Sequence, residues 1–440
     1  MILDFRVGGV SGRYASGLVE VLTAASLSLV LAFWPGVATA AVFPVDTTLD
    51  SHDQNLGDGF CSDSGGMCSL RAGVEEANAL GGSDTISLDV AGPYDLTLDQ
   101  LTVTSEMTIL ANGEVIRWAG GGGRLIQVQS GSLTLEDATL RDGNQFGLGG
   151  ALENNALANL VRCTIIDNTN VLQGGGLSNS GPTATLNIID SAVLNNSSGA
   201  DGGGIYNEGG TVNIANSTIS GNRADDEGGG IYSAFGTVNA TNLTVSRNTA
   251  DHDNDGTGSG GGLYQFGSTF EFKGTIVAEN FDTPGNGGPS ASHPDLAGQT
   301  FASQGYNLIG NVGDFDFSSN TTGDHYGDPN GTTTPDAAAV EESEPIDPRL
   351  GGLTGAPPLL RLLEYSPAID WLPVGVCSLL SSGTNALFNP GDPLTVDQEG
   401  DARPLGLDCE QGSDEAKENP PLFSDGFESG DPSAWSTAVP

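Results

Sequence analysis

Apolar residues recur along the middle of the chain as pairs two positions apart, with a third five positions further on. Leu133, Leu135 and Leu140 set the pattern. It returns at Ala158/Leu160/Ile165, Leu186/Ile188/Val193, Val212/Ile214/Ile219, Val238/Ala240/Val245 and Phe270/Phe272/Val277, in steps of 25, 28, 26, 26 and 32 residues. A spacing of two is the period of a strand with one face buried. No 3.6-residue period accompanies it, and the glycines and β-branched residues around it disfavour helix.

Two polar columns travel with the apolar one. Gly-Gly-small-aliphatic recurs at 149–152, 174–177, 202–205, 228–231 and 260–263, each followed by a polar residue: Asn154, Asn179, Asn207, Ser233 or Gln265. Asn168, Asn196, Asn222, Asn248 and Asn280 each follow the last aliphatic by three. A unit of about 26 residues holding about three short strands cannot bury a core alone. Stacked in parallel at about 4.8 Å, such units turn the apolar columns into one continuous core. The pattern therefore predicts an all-β, single-stranded solenoid: a parallel β-helix, right-handed as parallel crossovers are. Glycine supplies turns with positive φ. The asparagines fit the same corners, because Asn tolerates that conformation and stacked amides form a ladder. Both columns are thus structural. Cys163 falls in the column of Ser191, Ser217 and Leu243, which predicts a buried free thiol.

One segment departs from the strand pattern. Leu70, Val74, Ala77 and Leu80 share a helical face, predicting a helix over Leu70–Leu80 that caps the first coil and covers its open sheet edge. One coil also departs. Five residues separate Asn168, Asn196 and Asn222 from their next glycine pair, whereas eleven separate Asn248 from Gly260. The surplus is a loop outgrowth holding Asp251, Asp253 and Asp255 before Gly256. Carboxylates at positions one, three and five with glycine at six form the first half of a calcium loop, but position twelve is Gly262 rather than a bidentate Glu. Calcium is the expected cofactor if there is one; a solvated acidic loop is the alternative.

Charge and composition narrow the surroundings. The chain has 440 residues, 56 acidic and 14 basic, for a formal net charge of -42. Such a surface repels nucleic acid and anionic lipid. Residues 1–40 read as an export signal, with Arg6 and Arg13, an apolar run from Val21 to Phe33, and Ala38-Thr39-Ala40 as a cleavage site. No transmembrane span is expected after cleavage, and the chain is expected to be monomeric. Export permits disulfides. Cys61 and Cys68 sit seven apart across a Gly-rich turn, while Cys377 and Cys409 flank a C-terminal region; Cys61–Cys68 and Cys377–Cys409 are the pairs expected. Sequence alone does not fix connectivity.

The alternating Gly-Gly-small-aliphatic and aliphatic-x-x-Asn elements resemble the repeats of chlamydial polymorphic outer-membrane proteins. CSLRAGVEEANAL, Cys68 to Leu80, resembles the CSLREA domain of secreted bacterial proteins, with Ala72-Gly73 where that domain has Glu-Ala. Gly305 to Gly310, Asp347-Pro348-Arg349-Leu350, Ser366 to Asp370, Asp397-Gln398 and Arg403-Pro404 resemble the choice-of-anchor Q domain. Residues 423–436 resemble a C-terminal tag of exported proteins of Gram-negative bacteria. These resemblances imply a secreted or outer-surface protein and transfer no catalytic residue. The expected organisation is a signal at 1–40, cap and first coils at 41–115, β-helix at 116–310, an acidic insertion at 311–346, the C-terminal region at 347–412, and linker plus tag at 413–440.

Function follows as two readings. The first is a non-enzymatic surface protein that adheres to a glycan, a cell surface or a matrix component, or stiffens the envelope. The second is a lyase or glycoside hydrolase acting on an acidic polysaccharide. The weak candidates for catalysis are Asp225 and Asp226, one coil below the Asp251 outgrowth, with Arg223 and Arg247 nearby. None of the four histidines has a Ser or Cys partner pattern for nucleophilic catalysis.

Overall fold

A computed structural model describes residues 40–282, 295–312, 323–327, 340–342 and 346–362, with short pieces at 367–368, 396–398, 403 and 411–412. Residues 1–39 of the segment read as an export signal, Cys377, Cys409 and residues 413–440 lie outside the described residues.

The chain winds as a parallel β-helix. Among the described residues the strands of successive coils pair in parallel, and the aliphatic columns meet as the spacing predicts. Leu133 pairs with Ala158 and Leu135 with Leu160. The same columns continue through Leu186 and Ile188, Val212 and Ile214, Val238 and Ala240, to Phe270 and Phe272. All of these side chains are buried in one core. The core also runs back through Met107 and Ile109 to Ile86 and to Phe43 and Val45. Within the segment read as an acidic insertion, His325–Gly327 and Val340–Glu342 add two more parallel rungs.

A typical coil holds four strands, not three. Ser132–Glu136 and Thr139–Arg141 lie in one 19-stranded sheet, Asn144–Gln145 in a 6-stranded sheet, and Leu152–Asn154 in an 8-stranded sheet. The bends between them fall at columns of left-handed residues. Asp137, Arg162, Asp190, Asn216 and Asn242 have φ between 46° and 55° at the first bend. Asp142, Asp167, Asn195, Arg247 and Glu279 have φ between 52° and 61° at the second. The ladder asparagines themselves are not left-handed, which corrects the sequence reading: the strained position is the residue before each one. Glycine serves at the third bend, where Gly202 and Gly228 have φ of 67° and 69°. Their neighbours Gly203 and Gly229 are needed for another reason. A Cβ there would sit within 2.4 Å of backbone atoms of the neighbouring coil.

Turning inward just after a bend, each ladder asparagine is buried and linked to the next coil. Asn168 donates its side-chain N–H and its backbone N–H to Asn196 Oδ1, at 2.9 and 3.1 Å. Asn196 does the same to Asn222, Asn222 to Asn248, and Asn248 to Asn280. The run ends on Asp295, whose Oδ1 accepts both groups of Asn280 and whose Oδ2 accepts the N–H of Asn311. A second buried ladder joins Asn154, Asn179, Asn207 and Ser233. Another inward column, through Thr275 and Asn307, ends on Asp324. Buried polar groups are costly unless paired, and in these ladders the register of the coils supplies the pairing from one amide to the next. Cys163 is a buried free thiol in its column, and burial pushes its pKa up to about 12.

The helix spans Leu70–Leu80 as predicted, with Ser69 capping Ala72 N–H and Gly81 closing it. It takes the place of a strand beneath Leu101–Val103, the edge of the 8-stranded sheet. Asn78 donates to Thr102 O at 2.6 Å and accepts from Thr104 N–H at 2.8 Å. Arg71, buried and paired with Asp50, donates to the carbonyls of Asp99 and Gln100. Side chains thus satisfy an edge that would otherwise stay open. The Cys61–Cys68 disulfide forms at the foot of this helix.

The 19-stranded sheet is covered on its outer side as well. Thr211–Ser220 and Thr237–Ser246 are buried on both faces, unlike the half-buried strands that the spacing predicts. On that side Asn187, Asn213 and Asn239 form a further ladder. Leu350–Thr354 and Leu359–Leu362 pair antiparallel, and Leu350, Leu360 and Leu362 cluster with Ile276, Ala278 and Leu308. Val396 O accepts from Asn216, and Gln398 Oε1 accepts from Thr218. Nothing in the apolar periodicity marks these outer contacts, because they use the polar side of each strand.

Two predictions follow from the ladders. Asn222→Ala leaves the Asn196 donors without their acceptor and is expected to lower unfolding free energy by about 3 kcal/mol, read from the urea midpoint at constant slope. Burial outweighs the N–H donors around Asp295 and Asp324, raising their pKa to about 7 and about 6. An unfolded Asp titrates near 3.9, so the fold holds these protons more tightly. The stability they contribute is complete below about pH 4 and is lost as pH rises towards 7. Urea midpoints should fall between pH 4.5 and 7.5, with a shallower fall in Asp295→Asn.

Candidate functional site

The outgrowth of the Asn248 coil forms where the 6-stranded sheet hands over to the 8-stranded one. Thr249–Ala250 still pairs with the coil below, then the chain leaves the stack and rejoins it at Leu263–Phe266. Left-handed residues at Asp251, Asn254 and Gly256, with φ of 48°, 61° and 88°, fold the outgrowth back on itself. One carboxylate oxygen each from Asp251, Asp253 and Asp255 lies within 4.8 Å of the others. Asp251 is buried and accepts the Gly256 N–H at 3.0 Å; Asp253 and Asp255 are exposed. The three residues picked out by spacing therefore converge.

Neighbouring coils add carboxylates that spacing within the loop did not reveal. Thr257 Oγ1 donates to Asp255 at 2.6 Å and lies 3.3 Å from Asp226 Oδ1. Burial and then the negative charges of Asp201, Asp255 and Asp253 push the Asp226 pKa up. In the coil above, burial and the charge of Asp251 raise Asp282 to about 7. Asp226 and Asp282 thus stand on either side of the loop that lacks a carboxylate at Gly262. His252 Nδ1 lies 3.5 Å from Asp225. Of the two arginines expected nearby, Arg247 turns away: it pairs with Glu279 and donates to the carbonyls of Leu350 and Gly351. It does not serve as a base for chemistry at this corner.

A second carboxyl pair sits one and two coils down. Asp201 accepts the Glu227 backbone N–H at 3.3 Å and the Gln173 side-chain N–H at 3.2 Å. Burial and the hydrogen-bonded Asp201 raise the Glu227 pKa to about 8. The like charge of Asp201 disfavours ionisation beside it, so Glu227 keeps its proton more tightly than an ordinary glutamate. Beside them, on the outer face of the 8-stranded sheet, Tyr206, Tyr232 and Tyr264 stack in register. Their ring centroids are 5.3 Å apart and their planes are within 6° and 4° of parallel. Sequence reasoning missed both features. The tyrosine signal was available as one aromatic after each of three aliphatics: Ile205, Ile231 and Leu263. Asp201 and Glu227 belong to different coils, so only the register brings them together.

The family model of the Chlamydia polymorphic membrane protein repeat matches residues 216–234. That stretch runs from the first bend of one coil through Asn222, Asp225, Asp226 and Glu227 to Tyr232. No curated protein matches. Among solved structures, the crystal structure of pectate lyase Pel9A is similar at 13% identity and a TM-score of 0.45, covering 87% of this chain and 98% of that one. No argument about activity rests on a likeness at that level. Among the described residues, no helix is long and apolar enough to cross a membrane.

The acidic corner makes one spectroscopic prediction. A carboxyl resonance titrating well above the usual glutamate range should be present in the wild-type chain and absent in Glu227→Gln, followed by carbon-13 NMR from pH 4 to 9. A wild-type chain whose glutamate carboxyls all titrate below about pH 5 contradicts the raised Glu227 pKa.

Proposed function

We propose that this chain is an exported surface protein of a Gram-negative bacterium that adheres through the outer face of its β-helix to a glycan or matrix component. The match of residues 216–234 to the polymorphic membrane protein repeat carries the surface reading. The export features of residues 1–40, and the resemblances of the flanking regions to the CSLREA and choice-of-anchor Q domains, point the same way. A regular solenoid presents a long flank on which a partner can lie, and variation is confined to loop corners such as the Asp251 outgrowth.

In this reading calcium is the cofactor of the outgrowth. Asp251, Asp253 and Asp255 supply its ligands, and Asp226 and Asp282 add negative charge from the neighbouring coils. A divalent cation would relieve the repulsion among these carboxylates and tie three coils together at one corner. Its role is to stiffen the ligand-facing edge.

A lyase or glycoside hydrolase is the second reading, and the placement of Asp201 against Glu227, whose pKa burial pushes up, is what favours it. Asp225 and Asp226 remain its weaker candidates. Screening polysaccharides for new reducing ends or unsaturated products separates the two readings. Adhesion predicts cell or matrix binding without product; catalysis predicts product.

Calcium at about a hundredfold above its dissociation constant should raise Tm by about 5 °C, and EDTA should reverse the change. Asp251→Asn and Asp253→Asn should abolish the response while leaving Tm without calcium nearly unchanged or higher. Equal Tm in calcium and EDTA for the wild-type chain removes the cofactor.

A further inference from the structure

The tyrosine row has a charge environment of one sign. The charged groups acting on Tyr206, Tyr232 and Tyr264 are Asp201, Glu208 and Glu227, all acids. Asp201 and Glu227 lie ahead of the glycine bend, at the start of the strands; Glu208 lies at the end of Ile205–Glu208. Burial and these acids push the phenol pKa values up, so the hydroxyls stay neutral and remain donors. Because the rings stack on one another, their faces are mutually covered. Tyr206 is buried and its hydroxyl is taken by Glu208, so what the row offers a partner is the ring edges and hydroxyls of Tyr232 and Tyr264, bordered by carboxylate acceptors.

Building on the surface-binding reading, we propose that this strip binds a linear polysaccharide bearing free amino groups, laid along the β-helix axis over Tyr232 and Tyr264. A β-1,4-linked chain of pyranose rings advances by about one coil height per sugar and turns each sugar over relative to the last, so every second sugar presents its amino group to the strip. Sugar hydroxyls accept from the phenols and donate to Glu208. An ammonium group sits between Asp201 and Glu227 and pairs with both carboxyl groups. The same acids repel a polyuronate, which sets this substrate class apart from the acidic polysaccharide suggested by the sequence. A basic peptide fits less well. In extended form its same-side side chains recur at about 6.7 Å, out of step with the tyrosine row.

Titration calorimetry on the full chain tests this with four probes: a fully deacetylated glucosamine hexamer, the N-acetylglucosamine hexamer, a galacturonate hexamer and hexalysine. The glucosamine hexamer should bind, the N-acetylated one at least tenfold more weakly, and galacturonate not detectably without calcium. Tyr232→Phe keeps the stack and removes one hydroxyl; Glu227→Gln keeps the shape and removes the charge. Each should weaken glucosamine binding at least fivefold at unchanged Tm. Tighter binding of galacturonate or hexalysine overturns the proposal, as does unaltered affinity in both variants. If no hexamer binds while the chain still adheres to cells or matrix, the strip is wrong and the surface reading stands. If the chain binds none of these, both fall.

Discussion

A buried carboxamide must find hydrogen-bond partners, and each ladder asparagine of this β-helix takes its amide partners largely from the adjacent coils. Asn222 accepts from Asn196 and donates to Asn248. A coil slipped by one residue would leave every rung of that ladder unpaired and turn its aliphatic columns outward. The apolar core is a row of similar small aliphatics and tolerates substitution well. The ladders do not, because an orphaned buried amide costs more than a missing methyl group gains. Register is therefore set by the polar columns, while the apolar columns supply most of the driving force.

The same constraint decides where variation can occur. Bends fall at left-handed residues, and from Asp167 onward the residue after the second bend is the ladder asparagine. Between that asparagine and the glycine bend the chain is free of ladder bonds, and there the Asp251 outgrowth departs. The loop leaves and returns without disturbing the rungs: Asn248 still pairs with Asn280, and Leu263 still follows Ile231. Fixed register also stacks the three tyrosines and brings Asp201 to Glu227. The candidate site is thus a product of the stack, assembled from residues that share no local motif.

Much of the architecture could be read from the chain because a solenoid repeats its decisions. Columns from Leu133 to Val277 aligned by spacing alone, the helix over Leu70–Leu80 by its apolar face, and the Asp251 loop by its surplus length. What could not be read depends on geometry between coils or on non-repeating chain. The left-handed column lies one residue before the asparagines and holds Asp, Arg, Glu and Asn alike, so no residue type marks it. The outer ladder of Asn187, Asn213 and Asn239 looks like a solvent face in sequence. It is buried where the distant C-terminal segments pack against the same sheet, through contacts such as Gln398 with Thr218. Arg247 looked like a neighbour of the acidic corner and is held by Glu279 and the Leu350 carbonyl instead.

Hydrogen exchange of the asparagine side chains, followed by NMR on the full chain, bears most directly on this account. The carboxamide protons of Asn196, Asn222 and Asn248 should exchange as slowly as the backbone amides of Ile214 and Val238, because releasing them requires the stack to open. Carboxamide protons that exchange as fast as the backbone amides of the exposed outgrowth, Asp253 to Thr257, would contradict it.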